Sequence, residues 1–252
     1  MPTAAFSKIC YAMRAVDISN ISYAYGGNTT LKDVTFSVQR GHFCALLGPN
    51  GAGKSTLFSI LTGLFVPQSG RIRYSSVDLM IARAQALSKM GVVFQQTTLD
   101  MDLSVFENMR YFAALHGILG LHALKRIDAC LDLLNVRERK KDPVRALNGG
   151  HRRRVEIARS LIHDPAILLF DEPTAGLDPR ARQAITEEVH QLCLSSGKTV
   201  LWATHLTDEI APQDDLVILH RGEVLSCGVT EDICQGRPLK EVFLSLTSLG
   251  SA

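Results

Sequence analysis

Residues 16–22 alternate apolar and polar side chains, Gly26-Gly27-Asn28 supplies turn chemistry, and residues 31–38 alternate again. A period of two on either side of a glycine turn predicts two antiparallel strands, each with one face on a core. The pattern then changes. Residues 43–47 are wholly apolar, as in a strand buried on both faces, and run directly into a glycine-rich turn. From 54 to 64 the apolar positions Leu57, Phe58, Ile60, Leu61 and Leu64 take helical spacing. Two more apolar runs, 166–170 and 199–203, end in Asp171-Glu172 and Thr204-His205. A strand, glycine loop and helix, joined by buried strands with polar residues at their carboxyl ends, predict a parallel α/β sheet with its ligand site at those ends. Between about residues 98 and 144 the pattern is helical only, with Leu124, Ile127, Leu131 and Leu134 on one stripe, which predicts a helical insertion in the α/β core.

A chain of 252 residues accommodates one large domain with such an insertion, but not a fused pair. Lys and Arg total 27 against 25 Asp and Glu, and a net charge of +2 gives no whole-surface drive toward nucleic acid or anionic lipid. No nucleic-acid partner is expected. The six cysteines, Cys10, Cys44, Cys130, Cys193, Cys227 and Cys234, show neither a C-x-x-C nor a histidine pair at metal spacing, which suits free thiols in a reducing compartment. Apolar runs are strand-length, far short of the ~20 residues that cross a bilayer. Residues 1–12 lack a secretory signal pattern, so a cytosolic chain is expected, with a loose tail over residues 1–14 or an upstream start before Met13. Residues 137–141, carrying Arg137, Arg139, Lys140 and Lys141, are read as a solvated helix end.

The glycine turn carries the chemistry. Gly48-Pro49-Asn50-Gly51-Ala52-Gly53-Lys54-Ser55, followed by Thr56, matches G-x-x-x-x-G-K-[ST] and sits between strand and helix, where backbone N–H groups and the helix N-terminus cradle a polyphosphate. Lys54 is expected on the β- and γ-phosphates and Ser55 on Mg²⁺. Asp171, closing an apolar strand, reads as the carboxylate that holds Mg²⁺, and its neighbour Glu172 as the general base that activates water. No Asn-Lys-x-Asp segment for guanine follows, which excludes a typical GTPase.

Leu147-Asn148-Gly149-Gly150-His151 precedes an amphipathic helix and then the Asp171 strand. Here the chain resembles the ATP-binding subunits of ABC transporters, whose signature is Leu-Ser-Gly-Gly-Gln at this distance. The resemblance runs from about residue 16 to 228. It implies a P-loop NTPase with a RecA-like parallel sheet core, an N-terminal antiparallel β subdomain and an inserted α-helical subdomain. The expected division is a core at about 15–97 and 160–230, the insertion at 98–159 and a short C-terminal segment at 231–252. By the same resemblance, Tyr25 is the aromatic that stacks on adenine, with Tyr23 the second candidate, and Gln95 is the glutamine that senses Mg²⁺ and water. Ala175-Gly176-Leu177-Asp178 is the D-loop and His205 the switch histidine at the γ-phosphate. Asn148 and His151 depart from the usual Ser and Gln, while Gly149 and Gly150 are kept. Asn still offers an N–H donor.

The resemblance further implies Mg-dependent ATP hydrolysis in a head-to-tail dimer of two ATP-binding subunits, each ATP lying between one phosphate loop and the opposite signature. It implies a separate transmembrane permease on whose cytoplasmic face the pair works. Leu103-Ser104-Val105-Phe106-Glu107-Asn108 and Leu115-His116-Gly117 resemble the exporter subgroup for drugs, ions or lipids. The alternative is a soluble ATPase of the same superfamily that remodels DNA or ribosomes, which predicts a tandem cassette, a coiled coil or a basic surface, and none is visible.

Overall fold

The computed structural model describes residues 14–249. The expected tail, Cys10 and Met13 lie outside the described residues apart from Arg14, which opens the first strand.

Strands β1 (Arg14–Tyr25) and β2 (Asn28–Gln39) form the antiparallel pair expected from their alternation, turning at Gly26 and Gly27, whose φ values of 52° and 96° favour glycine. β3 (Phe43–Leu47) leads through the phosphate loop into α1 (Lys54–Leu61). Then come β4 (Ser69–Tyr74), β5 (Val77–Asp78), α2 (Arg83–Leu87) and β6 (Met90–Val93). The helical stretch holds α3 (Val105–Leu115), α4 (Gly120–Leu133) and α5 (Gly149–Ser160). β7 (Ile167–Asp171), α6 (Pro179–Ser196), β8 (Thr199–Thr204), β9 (Asp215–His220) and β10 (Glu223–Val229) complete the sheets, and α7 (Thr230–Cys234) and α8 (Leu239–Leu249) follow.

A four-stranded antiparallel sheet runs β2-β1-β4-β5, and a six-stranded sheet runs β10-β9-β3-β8-β7-β6. In the second, β9, β3, β8, β7 and β6 are parallel, and β10 pairs antiparallel at the edge. Both faces of its central strands are covered, which is why they read as unbroken apolar runs. Phe43, Ala45, Leu168, Phe170, Val200 and Trp202 join the core beneath the helices, whereas Cys44, Leu46, Ile167, Leu169 and Leu201 join the core shared with α1 and the antiparallel sheet. Truncating fully buried Phe170 to Ala would cost about 3–5 kcal/mol.

The helical stretch starts at a reciprocal cap. The Ser104 hydroxyl accepts from Glu107 N–H, and the Glu107 carboxylate accepts from Ser104 N–H at 2.8 Å. Ile127, Leu131 and Leu134 are buried as expected, but Leu124 is 39% exposed, and Ala123 and Cys130 take the inner positions on α4. The helix expected over 54–64 stops at Leu61, because Gly63 at φ 73° breaks it and leaves Leu64 exposed. Three of the four basic residues are ion-paired as well as lying at the surface. Arg137 meets Asp128 and Asp132, Lys140 meets Asp128 at 2.5 Å, and Arg139 meets Asp142.

The parallel register aligns one end of the large sheet. Leu47 lies opposite Thr204, Asp171 opposite Ala203 and Val93 opposite Phe170. The residues that follow these strands, from Gly48, Glu172, His205 and Phe94 onward, therefore emerge side by side.

Candidate nucleotide site

The phosphate loop is shaped by glycine at two positions in particular. A Cβ on Gly48 would lie 2.5 Å from the Leu219 carbonyl oxygen of β9, so only glycine lets the loop leave β3 against its neighbour. Gly53, at φ 106°, is the N-cap of α1 and packs against Leu31 and the Thr30 carbonyl. No side chain caps α1, so its first-turn N–H groups face the loop without a side-chain acceptor. Lys54 is buried and folds back across the loop, donating from Nζ to the carbonyls of Gly48 at 2.7 Å and Pro49 at 3.1 Å.

Lys54 Nζ also lies 3.1 Å from Glu172 Oε1. On the other carboxylate oxygen, His205 Nδ1 and Gln95 Nε2 each approach Glu172 Oε2 to 3.4 Å. Three groups from three separate segments thus converge on one carboxylate. β7 ends at Asp171, and Glu172 has left the strand at φ 47°, a costly conformation for a residue with a Cβ. Adjacent residues of one strand would face opposite ways, but here it is the turn at Glu172 that separates the two carboxylates, its N–H held by the Ala203 carbonyl at 3.0 Å.

Asp171 is buried, and its Oδ1 has no hydrogen-bond partner. Burial raises its pKa above the ordinary carboxylate range; the hydrogen bond with Ser55 opposes this, the charge of Glu172 adds to it, and Lys54 opposes it. An orphaned buried carboxylate oxygen beside a serine hydroxyl is a hard oxygen donor pair suited to Mg²⁺, which binds through one or two carboxylates plus substrate phosphates rather than in a protein cage. Among the described residues no group of three or more His, Cys, Asp or Glu is placed to hold a metal ion.

Asn50, Gly51, Gly53, Lys54, Ser55, Thr56, Gln95, Glu172 and His205 line one open cavity of about 480 Å³. Ala175, the first residue of the segment read as the D-loop, also lines it, as does Thr30, which was not expected from sequence because a threonine in a strand carries no signal of its own. Tyr25 does not line it. It is 45% exposed and meets Tyr23 and Phe65 edge-on, while Tyr23 lies flat on Phe65 with centroids 5.6 Å apart. Of the two tyrosines, Tyr25 therefore offers the freer ring.

Asn148, Gly149 and Gly150 are likewise absent from the cavity lining. Asn148 is the N-cap of α5, its Oδ1 accepting from His151 N–H at 2.8 Å, so its Nδ2 is left to donate outward. A Cβ on Gly149 would stand 3.1 Å from Leu177, which ties this turn to the segment after Glu172. Asp178 caps α6, accepting from Arg180 and Ala181 N–H at 3.1 and 3.0 Å, a role that already occupies one oxygen of a residue expected at the nucleotide.

Residues 31–175 match the family described as ABC transporter. The chain is 37% identical over 216 residues to the linearmycin resistance ATP-binding protein LnrL of Bacillus subtilis, covering 85% of this chain and 69% of that one. It is 37% identical over 219 residues to Nod factor export ATP-binding protein I of Ralstonia nicotianae, covering 86% and 68%. Among solved structures it superposes on cbiO1 from Clostridium perfringens, described as part of the ABC transporter complex cbiONQ, with a TM-score of 0.82, 30% identity and coverage of 94% and 97%. A family match over more than half of the chain, relatives at this identity and a shared fold place the chain among the ATP-binding proteins of the ABC transporter family.

Proposed function

We propose that this chain hydrolyses ATP with Mg²⁺ as one half of a nucleotide-closed dimer of two such subunits, driving export through a separate membrane-spanning permease from its cytoplasmic side. One observation carries the reading: the cavity gathers the phosphate loop, Gln95, Glu172 and His205 but not the Asn148-Gly149-Gly150 turn, which stands exposed at the start of α5. A γ-phosphate in that cavity lacks the signature donors of its own chain, and a second copy placed head to tail supplies them. Export is supported by a relative named for it. Among the described residues no helix is long and apolar enough to cross a membrane, and in this reading the permease builds the translocation path.

In this reading Tyr25 takes the adenine ring. Entering phosphates replace Glu172 as the anionic partner of Lys54, which frees the carboxylate. Mg²⁺ bound between Ser55, Asp171 and Gln95 would neutralise phosphate charge. Glu172 accepts a proton from the attacking water, positioned between Gln95 and His205. Asn148 Nδ2 and the N-terminal N–H groups of α5 in the opposite chain hold the γ-phosphate. Loss of that phosphate removes what joined the two faces, and the pair reopens. The test is ATP turnover by the chain purified with its permease, with Mg²⁺ and after chelation. Turnover that stops on chelation and rises with substrate transport is expected; a complex that neither binds nor cleaves ATP refutes the reading.

A further inference from the structure

The segment that leaves β6 has no regular structure between Phe94 and the cap of α3, yet it carries Gln95. What fixes its course is α5. Arg153 is buried and spans two successive main-chain carbonyls, Nη1 donating to Phe94 O and Nη2 to Gln95 O, both at 2.9 Å. Glu156, 1% exposed, accepts from Arg153 Nη1 at 2.6 Å through one oxygen and from Thr98 N–H at 2.8 Å through the other. Arg159, 4% exposed, donates to Thr98 O at 2.9 Å and to the Thr98 hydroxyl, and its guanidinium lies 4.0 Å over the Phe112 ring of α3.

Two buried guanidinium groups share one carboxylate, so the charge is not balanced by side chains alone. The surplus donors are satisfied by carbonyls of the loop, which makes the loop part of the ion cluster rather than a neighbour of it. These contacts go to main-chain atoms at 94, 95 and 98 and therefore fix where the chain runs, whatever side chains it bears. The positions 153, 156 and 159 follow the helical period, so one face of α5 grips the loop while its N-terminus presents Asn148, Gly149 and Gly150.

We infer that Arg153, Glu156 and Arg159 are positioning residues that gear Gln95 to the signature turn. Displacement of α5, when its N-terminus meets a nucleotide on the opposite chain, moves the peptide of Gln95 in this chain's own cavity, where Gln95 already touches Glu172. This rests on the roles given above to Gln95 and to residues 148–150. The helix between them is rigid and hydrogen-bonded at both ends, so a shift at one end is not absorbed before it reaches the other.

The test compares wild type, Glu156→Gln, the apolar pair Arg153→Met with Glu156→Leu, and Arg153→Lys, each purified with the permease. Melting temperature, ATP turnover, half-saturating Mg²⁺ and amide hydrogen exchange over residues 94–98 are measured. Glu156→Gln leaves two buried arginines without a counter-charge, and both melting temperature and turnover fall. Matched apolar replacement of a buried ion pair is often neutral or stabilising, so the apolar pair, which still leaves Arg159 without its counter-charge, regains part of the melting temperature. Its turnover nevertheless stays about tenfold down, as expected for losing charge-assisted bonds to the loop, while exchange at 94–98 quickens and half-saturating Mg²⁺ rises severalfold. Arg153→Lys keeps the pair with Glu156 but cannot span both carbonyls, and it shows the same split should the apolar pair fold poorly. A reduced folded fraction lowers turnover but cannot move a half-saturation constant. Turnover that returns with melting temperature, at unchanged Mg²⁺ half-saturation and unchanged exchange, overturns the proposal. A wild-type complex that does not hydrolyse ATP overturns the ATPase reading instead, and the gearing with it.

Discussion

Replacing Glu172 with Gln separates two roles that the structure combines in one carboxylate. Glu172 is the counter-ion of Lys54 at 3.1 Å and the group on which Gln95 and His205 converge at 3.4 Å. The glutamine carbonyl can still accept from Lys54, so what is lost there is the charge assistance. Lys54 stays charged and keeps a carbonyl acceptor, so only the attraction between opposite charges is lost, and the nucleotide-free protein should lose about 1 kcal/mol. Lys54 keeps its bonds to Gly48 O and Pro49 O, which limits the loss. With ATP bound, phosphate replaces the carboxylate as partner, so the deficit should disappear. ATP affinity should be equal to or tighter than wild type, because the anion that competes for Lys54 is gone. Turnover, by contrast, loses the general base and should fall by about 10²–10⁴. The assay is steady-state ATP hydrolysis beside calorimetric ATP binding and thermal melting with and without nucleotide, and size measurement with ATP and Mg²⁺ should show a long-lived dimer. Wild-type turnover in Glu172→Gln would place the base elsewhere, and ATP binding weakened tenfold would mean that the Lys54 pair does not open to admit phosphate.

Asn148→Ser should retain substantial turnover, whereas Asn148→Asp should abolish it by setting a carboxylate against phosphate. Asn148→Ala should lose about 1.5–3 kcal/mol of phosphate contact, roughly ten- to a hundredfold in rate, plus about 1 kcal/mol of helix cap; equal rates across the series would mean this side chain never meets nucleotide. Trp202, the chain's one tryptophan, donates to buried Glu209 at 3.0 Å, and Glu209 also holds the Thr174 hydroxyl just past Glu172. ATP added to Glu172→Gln should therefore shift tryptophan emission, and an unchanged spectrum at saturation would show that this link does not respond. His163 stacks on His116 at 3.9 Å, and burial first, then His116, lowers its pKa to about 4. A folded-state pKa below the unfolded ~6.5 means the unfolded chain binds more protons between these values, so stability is full above ~6.5 and falls as pH drops toward 4. Discounted for partial exposure, the loss is on the order of 1 kcal/mol; His163→Gln should flatten that slope in pH-dependent melting, and an unaltered slope would assign it to other groups. Glu107→Lys, on the exposed cap of α3, should reduce transport more than ATP affinity if this face meets the permease, and normal transport by several variants there would place the docking elsewhere.

Along the chain, the phosphate loop, the Asp171 strand and the antiparallel opening were legible because each depends on local rules: glycine where backbone must turn inward, unbroken apolar runs where both strand faces are covered, alternation where one is. The short strands β4, β5 and β6 and the hairpin β9-β10 carry weaker patterns, and tertiary pairing alone makes them strands. The same holds for Leu124, which has helical spacing yet faces outward, because the register of α4 against α3 and α5 is chosen by total packing and not by one residue's hydrophobicity. Glu172 was legible from its place beside Asp171 at the end of an apolar strand, whereas Gln95 and His205 took their roles only from family resemblance, since isolated residues of these types have no periodic signal. Their convergence on one carboxylate was decided by the parallel register of β6, β7 and β8, which delivers three distant segments to one sheet end. The grip of α5 on the Gln95 loop was invisible for the same reason. Its donors and acceptors lie about 60 positions apart in the chain, and half of them are main-chain carbonyls, which every sequence carries and none distinguishes.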